Sequence, residues 1–176
     1  LRLILGRYGE ERYAGRIAQA IVKRRVARPF TRTGDLAEVI RTAQPAKARR
    51  EKQHPAKRSF QAIRIAVNDE LTELDSWLEA ACFGLKDGGR LAAISFHSLE
   101  DRLIKSAYRR WADPCVCPAG FPHVCGREPL GKPVNRGGET AGEEEREQNP
   151  RSRSARLRVF ERNSTAYYDT RTEDDI

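Results

Sequence analysis

The 176-residue chain has no methionine, only 4 cysteines and no hydrophobic run of membrane length. A chain that opens on Leu1 and contains no methionine is expected to be a fragment of something longer. A membrane-spanning helix needs about 20 consecutive apolar residues, so an integral helical membrane protein is excluded. A basic start followed by an apolar stretch, the mark of a secretory signal, is also missing. The expected setting is therefore the cytoplasm, where thiols stay reduced. Domains usually run to about 100–150 residues, so this length gives one domain or one and a half, with a core large enough to need no disulfides. Hydrophobic residues make up 39% and charged residues 33%. The apolar positions are clustered and periodic, which excludes wholesale disorder.

The formal charge is +8, and it is unevenly spread. Residues 1–60 hold 16 Lys or Arg against 5 acidic residues, a net of +11, so the other 116 residues sum to −3. A basic first third points to an anionic partner, nucleic acid before membrane, because no basic amphipathic helix with bulky apolar anchors accompanies it. A solvated basic surface is the alternative.

Periodicity divides the chain. From Glu10 to Ala27, Tyr13, Ile17, Ala20 and Ile21 recur at helical spacing, and Pro29 ends the helix. Thr33 can cap a short helix with Leu36, Val39, Ile40 and Ala43 inward, stopped by Pro45. Lys47 to Arg58 is basic, has no apolar period and contains Pro55; it reads as an exposed linker and a domain boundary. From Ser59 a single long helix is predicted, with Phe60, Ile63, Val67, Leu71, Leu74, Leu78, Ala81 and Leu85 three or four apart. Lys86-Asp87-Gly88-Gly89 makes a tight turn into a short buried strand, Leu91 to Phe96, and a helix follows from about Leu99 to Ala112. Helix, Gly-Gly turn, buried strand and helix is the rhythm of a parallel α/β sheet with covered faces. Asp113 to Ser154 reads as loop, with a solvated acidic run at Glu143 to Glu147. Ala155 to Glu161 alternates as a half-exposed edge strand, and residues beyond Asn163 form a polar tail.

The densest polar cluster is Ser95-Phe96-His97-Ser98-Leu99-Glu100-Asp101-Arg102, at the C-terminal end of the predicted strand. Open α/β sheets bind ligands at that edge. Ser98 can instead be the cap of the following helix, with Glu100 and Asp101 favoured by its dipole; His97 is not needed for a cap of that kind. The helix, turn and strand through Leu85 to Leu91 also look like the fourth helix and fifth strand of class I adenosylmethionine-dependent methyltransferases.

Three blocks make a closer resemblance. His54-Pro55-Ala56-Lys57-Arg58-Ser59-Phe60-Gln61-Ala62-Ile63-Arg64-Ile65-Ala66-Val67-Asn68-Asp69-Glu70-Leu71, then Ile94 to Arg102, then Asn149-Pro150-Arg151-Ser152-Arg153-Ser154-Ala155-Arg156-Leu157-Arg158-Val159, stand in the order of the signature blocks of one family. The chain resembles ribosomal RNA small subunit methyltransferase H, and Tyr8 to Ala14 is similar to the inserted helical domain of that family. The resemblance covers nearly all of residues 5–162. It implies an α/β fold: the second half of a class I, Rossmann-like methyltransferase sheet plus an inserted all-helical domain. Residues 1–58 would be helical insert and basic linker, 59–162 the C-terminal half of the methyltransferase domain, and 163–176 the tail. The cofactor implied is S-adenosyl-L-methionine, the substrate an exocyclic cytosine N4 in 16S rRNA, and the partner the small ribosomal subunit. The family's glycine-rich cofactor loop and its acidic partner have no match here, since Gly88-Gly89 precedes a strand rather than following one. No cofactor contact is therefore assigned, and the isolated chain is expected to be inactive.

Within that resemblance, His97, Ser98 and Glu100 are expected at the edge of the target pocket, and Gln61 and Asn68 in a supporting polar network. Arg64 and Arg102 suit either phosphate or nearby carboxylates. Arg58 lies in the basic stretch, and Asn149, Arg151, Ser152 and Arg153 offer guanidinium and hydroxyl groups for RNA phosphates; the alternative is a loop closing on the acidic run. The cytosine amine lone pair is delocalised into the ring, so transfer requires alignment and an acceptor for the proton, and no protein nucleophile. The base must be single-stranded or flipped out. A non-catalytic RNA-binding module derived from such an enzyme is the second reading, and a DNA-associated relative the third. A half-sheet leaves an unpaired strand edge, so the isolated chain is expected to be poorly stable or to associate.

Cys115, Cys117, His123 and Cys125 supply three thiols and an imidazole in one short loop, enough for a tetrahedral structural zinc, with Pro118, Gly120 and Pro122 letting it fold back. Reduced, uncoordinated thiols are the other reading. Cys82, on the long helix, is expected in the core.

Overall fold

The computed structural model describes residues 1–50 and 53–171, and the chain divides into two compact units, Leu1–Glu70 and Leu71–Ile176.

The first unit is helical: α1 (Arg2–Gly9), α2 (Ala14–Ala27), α3 (Thr33–Ala43), the short α4 (Ala46–Arg49) and α5 (Lys57–Asn68). Its core gathers Leu5, Ile17, Ile21, Ile40 and Ala62, with Leu36, Val39 and Ala43 packed against it, so the inward face predicted for α3 is the observed one. α1 has no counterpart in the sequence reading. It packs on α5 through Gly9, where a Cβ would meet the Arg58 carbonyl oxygen at 2.7 Å and the Ala62 side chain at 3.2 Å. Thr33 is not a cap: Arg32 holds the N-cap position in extended conformation, and Thr33 is already helical. The stretch read as an exposed linker contains α4 and the start of α5, and both Ala48 and Ala56 are buried. Small apolar side chains gave it no visible period. Glu51 and Lys52, also within that stretch, lie outside the described residues.

The predicted long helix is two. α5 ends at Asn68, Asp69 takes a left-handed conformation at φ 50°, and α6 (Glu70–Gly84) starts afresh. Asp tolerates that region because its short polar side chain can bond locally. Val67, counted on the inward face, is 77% exposed.

The second unit continues with β1 (Arg90–Ser95), α7 (Ser98–Ala112), β2 (Gly131–Pro133), β3 (Glu139–Thr140), α8 (Glu143–Gln148), a 3₁₀ turn at Pro150–Ser154, and β4 (Arg156–Arg162). The turn before β1 forms as predicted: Gly88 has φ 72°, Gly89 donates to the Lys86 carbonyl, and Gly88 donates to the Arg162 carbonyl. The Asp113–Ser154 stretch is thus more structured than predicted, and its acidic run is the exposed helix α8.

The sheet corrects the expectation of a parallel one. Its order is β1-β4-β2, with β3 also on β4, and every pairing is antiparallel. β1 and β2 do run the same way, as the crossover through α7 demands, but the last strand is inserted between them in the opposite sense. β4 is therefore the central strand, not an edge. Its buried residues are Arg158, Phe160 and Arg162, so two arginines lie on the core face. β1 alternates exposed and buried and is not fully buried: Leu91, Ala93 and Ser95 face in, while Ile94 is 60% exposed. Among the described residues its outer edge has no strand partner.

Leu78, Cys82, Leu91, Ile104, Trp111, Leu130 and Phe160 form the second core, with Tyr108, Trp111 and Phe160 ring centroids 5.2–5.4 Å apart. Cys82 is buried as expected, and burial pushes its thiol up to about 11. The polar tail is docked as far as described: Tyr167 and Tyr168 pack on this core, and Thr170 is buried.

Candidate functional site

The end of β1 is fixed by a reciprocal cap. His97, extended at φ −143°, is the N-cap of α7, and its Nδ1 accepts the Glu100 backbone N–H at 3.3 Å. The Glu100 carboxylate in turn accepts the N–H of Phe96 at 2.8 Å and of His97 at 3.3 Å. This is a capping box with histidine in the place usually held by Ser or Thr. Ser98, expected as the cap, is the first helical residue and is exposed. The His97 Nε2 is also turned inward, 3.1 Å from Glu100 Oε1. Nδ1 thus serves the strand-to-helix junction, while the buried Nε2 makes no hydrogen bond among the described residues.

Asp101 follows on the same turn and binds Arg158 with both oxygens, at 2.7 and 3.0 Å. The Arg158 guanidinium holds its carboxyl below the usual carboxylate range. This pair anchors α7 to the central strand, and the sequence reading missed it. Ser95 is buried beside it in the ladder, its hydroxyl 3.4 Å from the Arg156 carbonyl oxygen. Arg102 is exposed on α7.

A second group lies on α5 in the other unit. Arg64 binds both oxygens of Glu70, at 2.7 and 3.0 Å, and Asn68 donates to Glu70 at 3.1 Å. Of the two partners open to Arg64, the structure shows the carboxylate. Gln61 is half-buried one turn earlier. Arg58 lines a cleft of about 260 Å³ with Arg12, Tyr13, Gln44 and His54. Its floor is polar: Gln44 donates to Glu11 at 3.3 Å and to the Pro55 carbonyl at 3.0 Å.

In the third block, Asn149 accepts the Arg151 N–H at 3.2 Å, and the buried Ser152 hydroxyl donates to the Asn149 carbonyl at 2.8 Å. These two side chains build the turn, which leaves Arg151 and Arg153 exposed on it. Elsewhere in the same unit, Lys105, Arg109, Arg136 and Arg158 line a cleft of about 350 Å³ with Tyr108 and Asn135.

The loop after α7 brings Cys115, Cys117, His123 and Cys125 together, their ligating atoms all within 4.8 Å of one another, so this Cys3His set can hold zinc. Backbone N–H groups of Val116 and Arg127 push the Cys125 thiol down to about 6.

The two glycines of the 86–89 turn are spent on the return into β1.

Two compact units, one helical and one a small antiparallel sheet packed with helices, define a mostly helical α/β protein, and no helix of the described residues is long and apolar enough to cross a membrane. Residues 1–163 match the MraW methylase family, and the chain belongs to it. Among curated relatives, the ribosomal RNA small subunit methyltransferase H of Carboxydothermus hydrogenoformans is 58% identical over 160 residues, covering 90% of this chain and 51% of that protein. The same-named protein of Symbiobacterium thermophilum is 57% identical over 157 residues, covering 89% of the chain and 49% of that protein. That of Geobacter sp. strain M21 is 52% identical over 160 residues. The chain spans about half the length of the curated relatives it matches.

Proposed function

We propose that the chain is the C-terminal part of a cytoplasmic enzyme that transfers a methyl group from S-adenosyl-L-methionine to a cytosine N4 of 16S rRNA. The observation that carries this reading is the identity of 57–58% to proteins named ribosomal RNA small subunit methyltransferase H, sustained over 157–160 residues. The topology supports it. A last strand inserted between two strands that run the same way closes one end of a sheet, and the outer edge of β1 is left to take further strands from the remainder of the enzyme. The cofactor site belongs to that remainder.

The share of this chain is the target side. The end of β1 and the start of α7, with Ser98 exposed at its first turn, form the rim of the pocket that receives the extruded base. His97 and Glu100 are positioning residues, which hold that rim through the capping box rather than exchange a proton with the base. Arg58 with its cleft, Arg151, Arg153 and the cationic 350 Å³ cleft bind the RNA backbone. Such contacts set register and orientation, not sequence.

The test uses the full-length protein and incorporation of labelled methyl groups into 16S rRNA. His97→Ala is expected to cost about 1 kcal/mol of stability, the usual worth of an N-cap, and to lower methyl transfer. His97→Asn supplies an equally good cap and is expected to restore both. Loss of transfer in a His97→Asn protein of wild-type stability would give the imidazole a chemical role and overturn the positioning assignment. Unchanged transfer in His97→Ala would remove the residue from the rim.

A further inference from the structure

We propose that Cys115, Cys117, His123 and Cys125 bind one zinc ion, and that this ion holds the loop between α7 and β2 in its fold. The inference rests on the loop alone and stands apart from the methyltransferase reading.

Zinc–sulfur bonds of about 2.3 Å and zinc–nitrogen bonds of about 2.0–2.1 Å make the edges of an S₃N tetrahedron about 3.5–3.8 Å long. His123 Nδ1 lies 3.0 Å from Cys115 Sγ and 3.7 Å from Cys125 Sγ, and no two of the four ligating atoms are more than 4.8 Å apart. Small side-chain adjustments suffice to close the shell. A hydrogen bond accounts for one sulfur beside the imidazole, but not for three. A disulfide would use two of the thiols and leave the third and the histidine without purpose.

The loop's C-terminal end is tied to the tail, where the Glu128 carbonyl accepts from the Tyr168 hydroxyl and the Pro129 carbonyl from Asn163 at 2.8 Å, but the stretch that carries the cysteines has no such anchor among the bonds of the described residues. From Cys115 to Pro129 no side chain is buried, whereas Pro114 and Leu130 on either side are. The apolar residues point out: Val116, Phe121 and Val124 are 48, 72 and 82% exposed. Yet the backbone doubles back, using positive φ at Gly120 (84°) and Gly126 (63°) and a turn in which Phe121 donates to the Pro118 carbonyl. The Val124 N–H donates to Cys117 Sγ at 3.3 Å, the kind of outer hydrogen bond that orients a metal thiolate. Soft thiolates with one imidazole in a tetrahedral arrangement select zinc, and four protein ligands leave no open position, so the site is structural. Thiols that are still protonated lose their protons to solvent on binding, and no oxidation state changes.

The experiment uses the full-length protein, purified from zinc-supplemented cells and desalted. Elemental analysis is expected to find about one zinc per chain, and almost none in Cys117→Ser/Cys125→Ser. Cobalt added to metal-stripped wild-type protein is expected to give the visible bands of a tetrahedral site and a thiolate charge-transfer band, a readout that survives if the double variant fails to fold. Stripping the metal is expected to speed tryptic cleavage after Arg127 and to leave the cooperative unfolding of the remainder in place. Metal-replete protein with almost no zinc, zinc that persists in the double variant, or cobalt spectra without the thiolate band would each overturn the proposal. Cleavage after Arg127 that is equally fast with and without metal would overturn its second half.

Discussion

Replacing Glu79 by alanine is expected to destabilise the second unit by about 3 kcal/mol, the low end of the range for breaking a buried ion pair. Glu79 is 7% exposed and binds three side chains at once. Arg110 donates at 2.9 Å, the Trp111 indole at 3.4 Å and the Tyr167 hydroxyl at 3.0 Å. Removing the carboxylate strands an arginine whose next acidic neighbour, Asp75, is 3.9 Å away. It also strands an indole N–H and detaches the C-terminal segment from α6. For a unit of this size the melting temperature should fall on the order of 10 °C. Glu79→Gln keeps the acceptor and the shape, and is expected to lose less than half as much. Thermal unfolding followed by circular dichroism decides it. An alanine variant that melts with the wild type would mean that this network contributes specificity and not stability.

The second large effect is expected at Asp101, where alanine leaves the buried Arg158 guanidinium without its bidentate partner. About 2–3 kcal/mol is expected, less than a fully enclosed pair because Asp101 is 22% exposed and solvent screens part of the loss. The pH dependence carries a definite sign. Arg158 lowers the folded-state pKa of Asp101 below the unfolded value of about 3.9. The pair therefore contributes fully above that unfolded value, and its contribution is lost as pH falls through the lower folded one. Chemical denaturation from pH 7 to pH 3 should show a constant gap between wild type and Asp101→Ala down to about pH 5, then a narrowing gap. A gap that widened on acidification would contradict the pairing.

Much of the fold was legible because periodicity and turn chemistry carry it. α2, α3 and α7 ended where Pro29, Pro45 and Ala112 suggested, and β1 began within one residue of the predicted start. Some failures are local, such as the break at Asp69, and the others depended on a partner distant in sequence. The break at Asp69 is invisible because Leu71 resumes the helical spacing after it. β4 looked like an exposed edge because Arg156 and Arg158 alternate with Leu157 and Val159 along it. Asp101 makes Arg158 an interior residue, and the carbonyls of Leu130, Asn163 and Thr165 do the same for Arg162. The tail looked disposable until Tyr167 met Glu79.

The candidate site was half legible. Composition and position drew attention to His97 through Arg102, and the structure puts a built junction there. The roles within it differ: His97, not Ser98, caps the helix, and Asp101 rather than Arg102 makes the long-range bond. An acidic residue in the first turn of α7 facing an arginine on an alternating strand was the available signal. It could not be read before the two strands were known to pair. In the third block Asn149 and Ser152 bond within the turn and Arg151 and Arg153 face outward, a division that composition does not reveal. The cysteine loop needed no partner strand, and Cys115, Cys117, His123 and Cys125 converge within it.

The measurement that bears most directly on the account is nucleoside mass spectrometry of 16S rRNA from cells whose own small-subunit cytosine-N4 methyltransferase has been deleted. These cells would be complemented with the full-length gene that encodes this chain. The account predicts that N4-methylcytidine returns to the 16S rRNA. Stable expression of the full-length protein with no N4-methylcytidine restored would contradict it.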